Sequence, residues 1–210
     1  MALAGAVTLA GAWLVVDTQP AAGAGIALDE CVAPEGLELQ DQDYDDDQLP
    51  WQRADGTEAV INFETKAVTD DAYLDDLATA VEMWDSSPCI QPKLVENCPD
   101  DENCVTISLD EGDSDDDGNF DAIEEDDFTT GGHISYYVDN LAEEGPEATL
   151  NVVIHEMGHA VGLRHRATEG VLMHADTNEN TQVDEIDYDN LLVLYGNQDS
   201  DSGPHEGNAN

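Results

Sequence analysis

The sequence predicts a single α+β domain built on a mixed sheet, and three observations support this fold class. Segments that alternate between apolar and polar residues are interspersed with segments whose apolar residues recur at helical spacing. The chain of 210 residues has the length of one compact domain. Its hydrophobic content of 40% is sufficient for a buried core. A long helix in the second half and a shorter helix near the C-terminus complete the predicted order.

Three segments have the composition of β-strands. Residues 58–65, EAVINFET, alternate in polarity and are rich in residues that favour strands. The stretches CVTISLDE (104–111) and GGHISYYVDN (131–140) show the same features. They predict three strands in this order along the chain.

Three further segments predict helices. Apolar residues recur every three or four positions in 68–87, and Thr69 or Asp70 is suited to cap the N-terminus. A long amphipathic helix is predicted from near Pro146 to Gly162, where the glycine ends it. Residues 188–196, YDNLLVLYG, predict a short helix that closes the domain.

The charge balance limits the possible partners. The chain has 49 Asp and Glu against 5 Lys and Arg, which gives a formal net charge of −44. Such a surface repels nucleic acid phosphates and anionic membranes. The periodic apolar positions argue against disorder, so the acidity indicates a folded protein that works in high salt, where repulsion between carboxylates is screened. We therefore expect a halophilic source.

The N-terminal segment predicts export. The first sixteen residues, MALAGAVTLAGAWLVV, carry no charge and are short for a membrane span. Ala22-Gly23-Ala24 resembles a signal-peptidase cleavage site, so residues 1–24 are interpreted as a signal peptide of a secreted protein. No cation precedes the apolar segment, since the first is Arg53. An uncleaved N-terminal anchor is therefore the alternative.

Four cysteines agree with export. Two disulfides are expected in an exported chain with an even number of cysteines, and three pairings are possible. One of them joins Cys98 to Cys104 around the short loop CPDDENC and leaves Cys31 for Cys89. A zinc cluster is the alternative, but the spacings contain no C-x2-C pair.

The stretch HEMGHAVGLRH, residues 155–165, contains the candidate site. His155 and His159 are four residues apart, so on a helix their rings project from the same face. Gly162 can adopt a left-handed conformation that ends the helix, and the chain can then return with His165. Three imidazoles in this arrangement can bind one zinc ion, and Glu156 is placed to reach a water on it rather than the metal.

This arrangement predicts hydrolytic chemistry. Three protein ligands leave the fourth position of zinc open, as in catalytic rather than structural sites. Glu156 can act as the general base and pass the proton to the leaving amine, which cleaves a peptide bond. A chance grouping on a polar helix is the alternative. However, the full pattern H-E-x-x-H-x-x-G-x-x-H takes three of only six histidines.

These residues resemble the metzincin clan of zinc endopeptidases. Met173 in GVLMHA, eight residues after His165, is similar to the methionine that lies beneath the metal in that clan, and this interval is most similar to the matrixins. The sequence LVLYG near the C-terminus is similar to the end of the last matrixin helix. The resemblance implies a matrixin-like catalytic domain over 49–197 with a twisted mixed sheet. It also implies that 131–140 is the edge strand that binds substrate.

Departures limit what the resemblance implies. His174-Ala175 replaces the Tyr-Pro often found after the methionine, and no tyrosine stands two residues past Met173. His133 stands alone where many matrixins have a set of histidines for a second, structural zinc. Only the catalytic zinc is therefore expected. Residues 25–48 are interpreted as an acidic leader or a strap over the domain, and 198–210 as a disordered polar tail.

Two acidic stretches have the register of calcium loops. Residues 113–124, DSDDDGNFDAIE, match an EF-hand-type loop with glycine at its sixth position. The candidate calcium ligands in this loop are Asp113, Asp115, Asp117, Asn119 and Glu124. Residues 176–187, DTNENTQVDEID, match less well because Thr181 replaces the glycine. A solvated acidic loop is the alternative for both.

The sequence as a whole predicts a secreted, monomeric zinc endopeptidase that acts on peptide or protein substrates. The alternative is an extracellular module that binds calcium and zinc without cleaving proteins. Glu156 favours the enzyme, because a purely structural zinc site does not need a carboxylate at that position.

The net charge predicts that stability depends on salt. Lowering the ionic strength from molar salt to ~0.1 M lengthens the Debye length from about 3 to 10 Å and exposes the carboxylates to mutual repulsion. We expect the protein to unfold as the salt concentration falls. Near-UV circular dichroism measures this unfolding. A signal that stays constant down to ~0.1 M would contradict adaptation to high salt.

Overall fold

The computed structural model describes residues 30–43, 48–54, 56–112 and 114–198. The predicted signal peptide at 1–24 lies outside the described residues, as does nearly all of the predicted tail. Among the residues that are described, no helix combines the length and the apolar character that crossing a membrane requires.

A mixed sheet of five strands forms one layer of the domain and confirms the predicted fold class. The strands are β1 (Ala59–Glu64), β2 (Ile90–Val95), β3 (Cys104–Asp110), β4 (Gly118–Glu125) and β5 (Phe128–Tyr137). Their order across the sheet is β2-β1-β3-β5-β4. The first four in that order run parallel, and β4 pairs antiparallel with β5.

Four helices accompany the sheet: α1 (Asp71–Trp84), α2 (Val138–Glu144), α3 (Pro146–Ala160) and α4 (Glu185–Gly196). The predicted cap of α1 is Asp70, whose carboxylate accepts a hydrogen bond from the backbone of Ala72 at 2.8 Å. Helix α3 begins with a proline in its first turn, as predicted, where the missing N–H has no helical partner in any case.

Helix α3 is buried on all sides from Asn151 to Ala160, rather than along one apolar stripe as the sequence predicts. Aromatic side chains from three other segments donate hydrogen bonds to its carbonyl oxygens. Trp51 Nε1 donates to the carbonyl of Ala160 at 2.6 Å, and Trp84 Nε1 donates to that of Ile154 at 3.1 Å. Tyr136 Oη donates to the carbonyl of Val153 at 3.2 Å. These bonds satisfy the polar ends of large buried rings and fix the helix against its surroundings.

Three elements are absent from the sequence prediction. Strand β2 contains Pro92, which argues against a central strand, but β2 lies at the sheet edge, where proline is tolerated. Strand β4 occupies the acidic stretch interpreted as a calcium loop. Helix α2 begins at Val138, within the stretch predicted as the end of a strand.

The prediction that 131–140 forms the sheet edge is wrong. Strand β5 pairs with β3 on one side and with β4 on the other, so it lies inside the sheet. The outer position beyond it belongs to β4. The sequence does not predict β4 as the outer strand, because the acidic composition of β4 is not typical of a strand.

Two disulfides join Cys31 to Cys89 and Cys98 to Cys104, which confirms that the cysteines are paired. The alternative of a cysteine zinc cluster is wrong, since none of the four thiols is free. The longer bridge spans 58 residues and attaches the N-terminal segment to the start of β2.

Two adjacent glycines of β5 allow a matched test of the packing. A Cβ at Gly132 would lie 2.3 Å from Cε2 of Phe120, whereas a Cβ at Gly131 meets Ile123 only at 3.4 Å. Overpacking costs about 1–3 kcal/mol, and for a chain of this size each kcal/mol lowers Tm by about 2–4 °C. We expect Gly132→Ala to lower Tm by several degrees and Gly131→Ala to leave it nearly unchanged. Equal Tm values by calorimetry would contradict this packing.

Candidate active site

The three histidines of the motif converge on one point. The Nε2 atoms of His155 and His159 are 3.0 Å apart, and they lie 3.3 and 3.1 Å from Nε2 of His165. A tetrahedral zinc with Zn–N bonds of about 2.0–2.1 Å requires its nitrogens to be ~3.3–3.4 Å apart. The donor set therefore fits zinc in chemical type, and its spacings of 3.0, 3.1 and 3.3 Å lie within about 0.4 Å of those that zinc requires.

Hydrogen bonds on the far side of two rings fix the tautomer that a metal needs. Nδ1 of His155 lies 2.8 Å from the carbonyl oxygen of Leu172, and Nδ1 of His159 lies 2.8 Å from that of Leu163. A carbonyl can only accept, so each Nδ1 carries the proton and each Nε2 presents its lone pair.

Burial keeps the second histidine of the motif, His159, neutral. Removal from solvent lowers the pKa of His159 to about 3, and the nearby charge of His165 acts in the same direction. A neutral imidazole is the form that binds metal, so no proton has to be displaced from His159 near neutral pH.

The return of the chain to the third histidine depends on Gly162. Its φ of 100° lies in the left-handed region, as the sequence predicts, and its N–H donates to the carbonyl of His159 at 2.8 Å. A Cβ at this position would also lie 3.1 Å from Cα of Pro50. Both the backbone conformation and the close approach of residues 49–50 therefore favour glycine.

Glu156 lies at the wall of the same cleft and is 6% exposed. Its side chain packs against the first residue of β4. A Cβ at Gly118 would lie 2.8 Å from Cγ of Glu156 and 3.1 Å from its Oε1. The glycine thus provides the space that the carboxylate occupies beside the ligands.

Met173 lies beneath helix α3 and is fully buried. A Cβ at Gly158, between the two helical ligands, would lie 2.5 Å from its Sδ and 2.9 Å from Cζ2 of Trp84. The residue before it, Leu172, provides the carbonyl that fixes His155. The segment around the methionine therefore contacts α3 directly below the two histidines of the helix.

The ligands open into a cleft of about 430 Å³. Residues 118–120 of strand β4 line one wall of the cleft, and residues 174–177 line the other. His174, whose place the sequence left open, lines this cleft. His133 does not: its ring lies on β5 between Thr106 Oγ1 at 2.7 Å and Ser108 Oγ at 3.0 Å.

The structure contradicts the EF-hand geometry of the first acidic stretch. Asn119 and Glu124 lie on the extended strand β4, where five residues span ~16 Å, so Glu124 cannot join the earlier positions around one ion. Asp117 accepts a hydrogen bond from Thr177 Oγ1 at 2.6 Å, and Asp115 lines the cleft. Asp113 lies outside the described residues. Calcium binding by the remaining side chains stays a prediction.

Two acids of the second stretch, Asp184 and Asp187, bind an arginine. Asp184 caps α4, and it also accepts a hydrogen bond from Arg166 Nη1 at 2.8 Å, as Asp187 does at 3.0 Å. Burial by itself would lower the pKa of Arg166. The hydrogen bond that Arg166 donates to Asp184 and the charge of Asp187 outweigh burial and raise that pKa above its ordinary value.

Sequence reasoning missed Asn151 as a support for the cleft. Its Nδ2 donates to the carbonyl of Asn180 at 2.6 Å, and its Oδ1 accepts from the backbone of Asn178 at 3.3 Å. These bonds hold the loop after the methionine against α3. The sequence did contain a signal for this role: Asn151 is a polar residue one turn before His155 in an otherwise apolar run.

Comparison with known proteins agrees with this geometry. The family model for matrixins matches residues 50–196. No curated protein sequence matches the chain significantly. The match covers well over half of the chain, so the protein belongs to the matrixin family, the group of zinc metallopeptidases that the motif resembles.

The contact between Gly158 and Met173 can be tested by a double-mutant cycle. Ala is favoured over Gly in a helix by about 1 kcal/mol, but here we expect Gly158→Ala to destabilise the protein by displacing the methionine. Met173→Ala alone leaves a cavity that costs about 2–5 kcal/mol. The double variant should be more stable than the sum of the single effects by ~0.5–3 kcal/mol. Strict additivity in urea unfolding would contradict the contact.

Proposed function

We propose that this protein is a secreted zinc endopeptidase, with His155, His159 and His165 as the ligands and Glu156 as the general base. The observation that carries the proposal is the convergence of three Nε2 atoms beside a carboxylate in an open cleft. When bound, zinc would activate a water molecule and polarise the carbonyl of the scissile bond.

Glu156 would perform the proton transfers. Its carboxylate would accept a proton from the attacking water and then donate it to the leaving amine, so that one group serves both halves of the reaction. Helix α3 carries both Glu156 and two of the ligands, which fixes the distance between the base and the reacting centre. Gly118 would preserve that position by leaving space for the side chain.

Strand β4 would bind the substrate. It is the outer strand of the sheet next to the cleft, and its first residues line the cleft wall. The outer backbone groups of an edge strand can pair with an extended peptide, which would then lie antiparallel or parallel to β4 across the ligands. This assigns to β4 the role that the sequence had assigned to β5.

Export and a halophilic source are the remaining parts of the proposal. Two disulfides support export, because such bonds persist in oxidising compartments. The net charge of −44 supports a high-salt environment. A metal-binding module without proteolytic activity is less well supported, because it would leave the buried Glu156 beside the ligands without a role.

Two variants separate the base from the ligands. Glu156→Gln keeps the shape of the side chain and all three imidazoles, so zinc should remain near one per chain while peptide hydrolysis falls by at least 10²–10⁴-fold, the typical contribution of a general base. His159→Ala removes a ligand from a buried group, so zinc, hydrolysis and stability should fall together. The measurements are zinc content by emission spectroscopy, hydrolysis rate and Tm.

His133→Ala is the matched control for the loss of an imidazole. It removes a histidine outside the cleft, so zinc content and hydrolysis should stay at the wild-type level. If Glu156→Gln hydrolysed peptides at the wild-type rate, the assignment of the base would be wrong. If the wild-type protein bound no zinc in molar salt, the proposed function as a whole would be wrong.

A further inference from the structure

The N-terminal strap, residues 30–43, makes backbone contacts with the segment that carries the third histidine. The N–H of Asp43 donates to the carbonyl of His165 at 2.8 Å, and the N–H of Ala167 donates to the carbonyl of Asp41 at 3.2 Å. Between these bonds, Gln42 and Arg166 form an antiparallel bridge. The strap therefore pairs directly with the residue proposed as a zinc ligand.

Arg166 connects this pairing to the segment beneath the metal. Its backbone also forms a parallel bridge with His174, and its N–H donates to the carbonyl of Met173 at 2.7 Å. Three chain segments thus lie side by side, with Arg166 in the middle. The strap occupies one outer position, and the segment that follows Met173 occupies the other.

The side chain of Arg166 reinforces the same arrangement. Its guanidinium is 3% exposed, and its Nε donates to Asp41 Oδ2 at 3.0 Å. Asp184 and Asp187, at the start of α4, accept from its Nη1. The strap therefore supplies one of three carboxylates around a buried cation. Removal of one partner of a buried ion pair is strongly destabilising, because the remaining charge is left without compensation.

The rest of the strap is fixed to the domain along its length. At its start, the disulfide joins Cys31 to Cys89, and Arg53 Nη2 donates to the carbonyl of Cys31 at 3.3 Å. Further along, the backbone N–H of Gln40 donates to Asn190 Oδ1 at 2.8 Å, and Asn190 Nδ2 donates back to the carbonyl of Gln40 at 3.1 Å. None of the residues 30–43 lines the cleft.

We propose, on the basis of the proposed zinc site, that the strap is a permanent part of the active protein and that Asp41 and Arg166 are positioning residues for His165. Asp41 holds Arg166, and Arg166 holds the backbone on which His165 approaches the other two ligands. A leader removed on maturation would take these contacts away. The strap instead completes the site from outside the cleft.

The first experiment measures zinc affinity rather than stability alone. Partners that orient a metal ligand typically contribute 10–100-fold to metal affinity. We expect Asp41→Ala to raise the zinc dissociation constant by at least tenfold in chelator competition at fixed molar salt. We expect Asp41→Asn, which keeps an oxygen acceptor for Arg166 Nε, to recover part of that loss. Hydrolysis by both variants should return towards wild type when zinc is saturating.

Asp189→Ala is the matched control. Asp189 accepts a hydrogen bond from Gln40 Nε2 at 3.0 Å, so this variant also removes one carboxylate and one contact of the strap, but that contact is with Gln40 rather than with Arg166. Its zinc affinity should equal that of wild type. Equal losses in Asp41→Ala and Asp189→Ala, or no loss in either, would overturn the positioning role. Because wild-type zinc binding is measured in the same series, its absence would indicate failure of the zinc site itself.

If Asp41→Ala does not fold, the zinc affinity of Asp41→Asn is compared with that of Asp189→Ala instead, and this comparison tests the positioning role. The permanence of the strap is tested by the intact mass of the purified active protein, before and after reduction of the disulfides. We expect a mature chain that begins before Cys31 in both measurements. An active chain that begins after Asp43, or a strap fragment released only on reduction, would overturn that part of the proposal.

Discussion

The two hydrogen bonds from imidazole Nδ1 atoms to backbone carbonyls are the interactions on which the rest of the site depends. They tie His155 to Leu172 and His159 to Leu163, so each ring on α3 holds one of the segments that follow the helix. The same two bonds therefore orient the rings and attach the following chain segments to the helix. The buried aromatic donors Trp51, Trp84 and Tyr136 then fix the helix against the segment before β1, against α1 and against the sheet, respectively.

Two of the five cations of the chain are buried where separate parts of the chain meet. Arg53 and Arg166 are both buried, and both contact the N-terminal strap. At high ionic strength, ion pairs on the surface are screened, whereas buried ones are affected much less. A protein with a large acidic excess can therefore rely on buried arginines for specific structure while its surface remains almost wholly anionic.

The parts that the sequence predicts correctly are those determined by local patterns. The convergence of the three histidines, the left-handed conformation of Gly162 and the cap of α1 at Asp70 all follow from residues within a few positions of one another. The contact between Asp41 and Arg166 joins residues 125 positions apart, so no local pattern reveals it. Strand β4 was missed for a different reason: its acidic residues match the register of a calcium loop, and this match obscured the strand.

The open edge of β4 has a consequence for how copies of the protein behave towards one another. Backbone groups at an open sheet edge can pair with a strand from a second molecule, which is the usual route to edge-to-edge aggregation. Asp121, Glu124 and Glu125 project from this strand and are exposed. In any pairing of two such edges, carboxylates would face carboxylates, and like charges directly opposite each other are unfavourable. The same strand therefore discriminates against self-association while its backbone remains accessible to other chains.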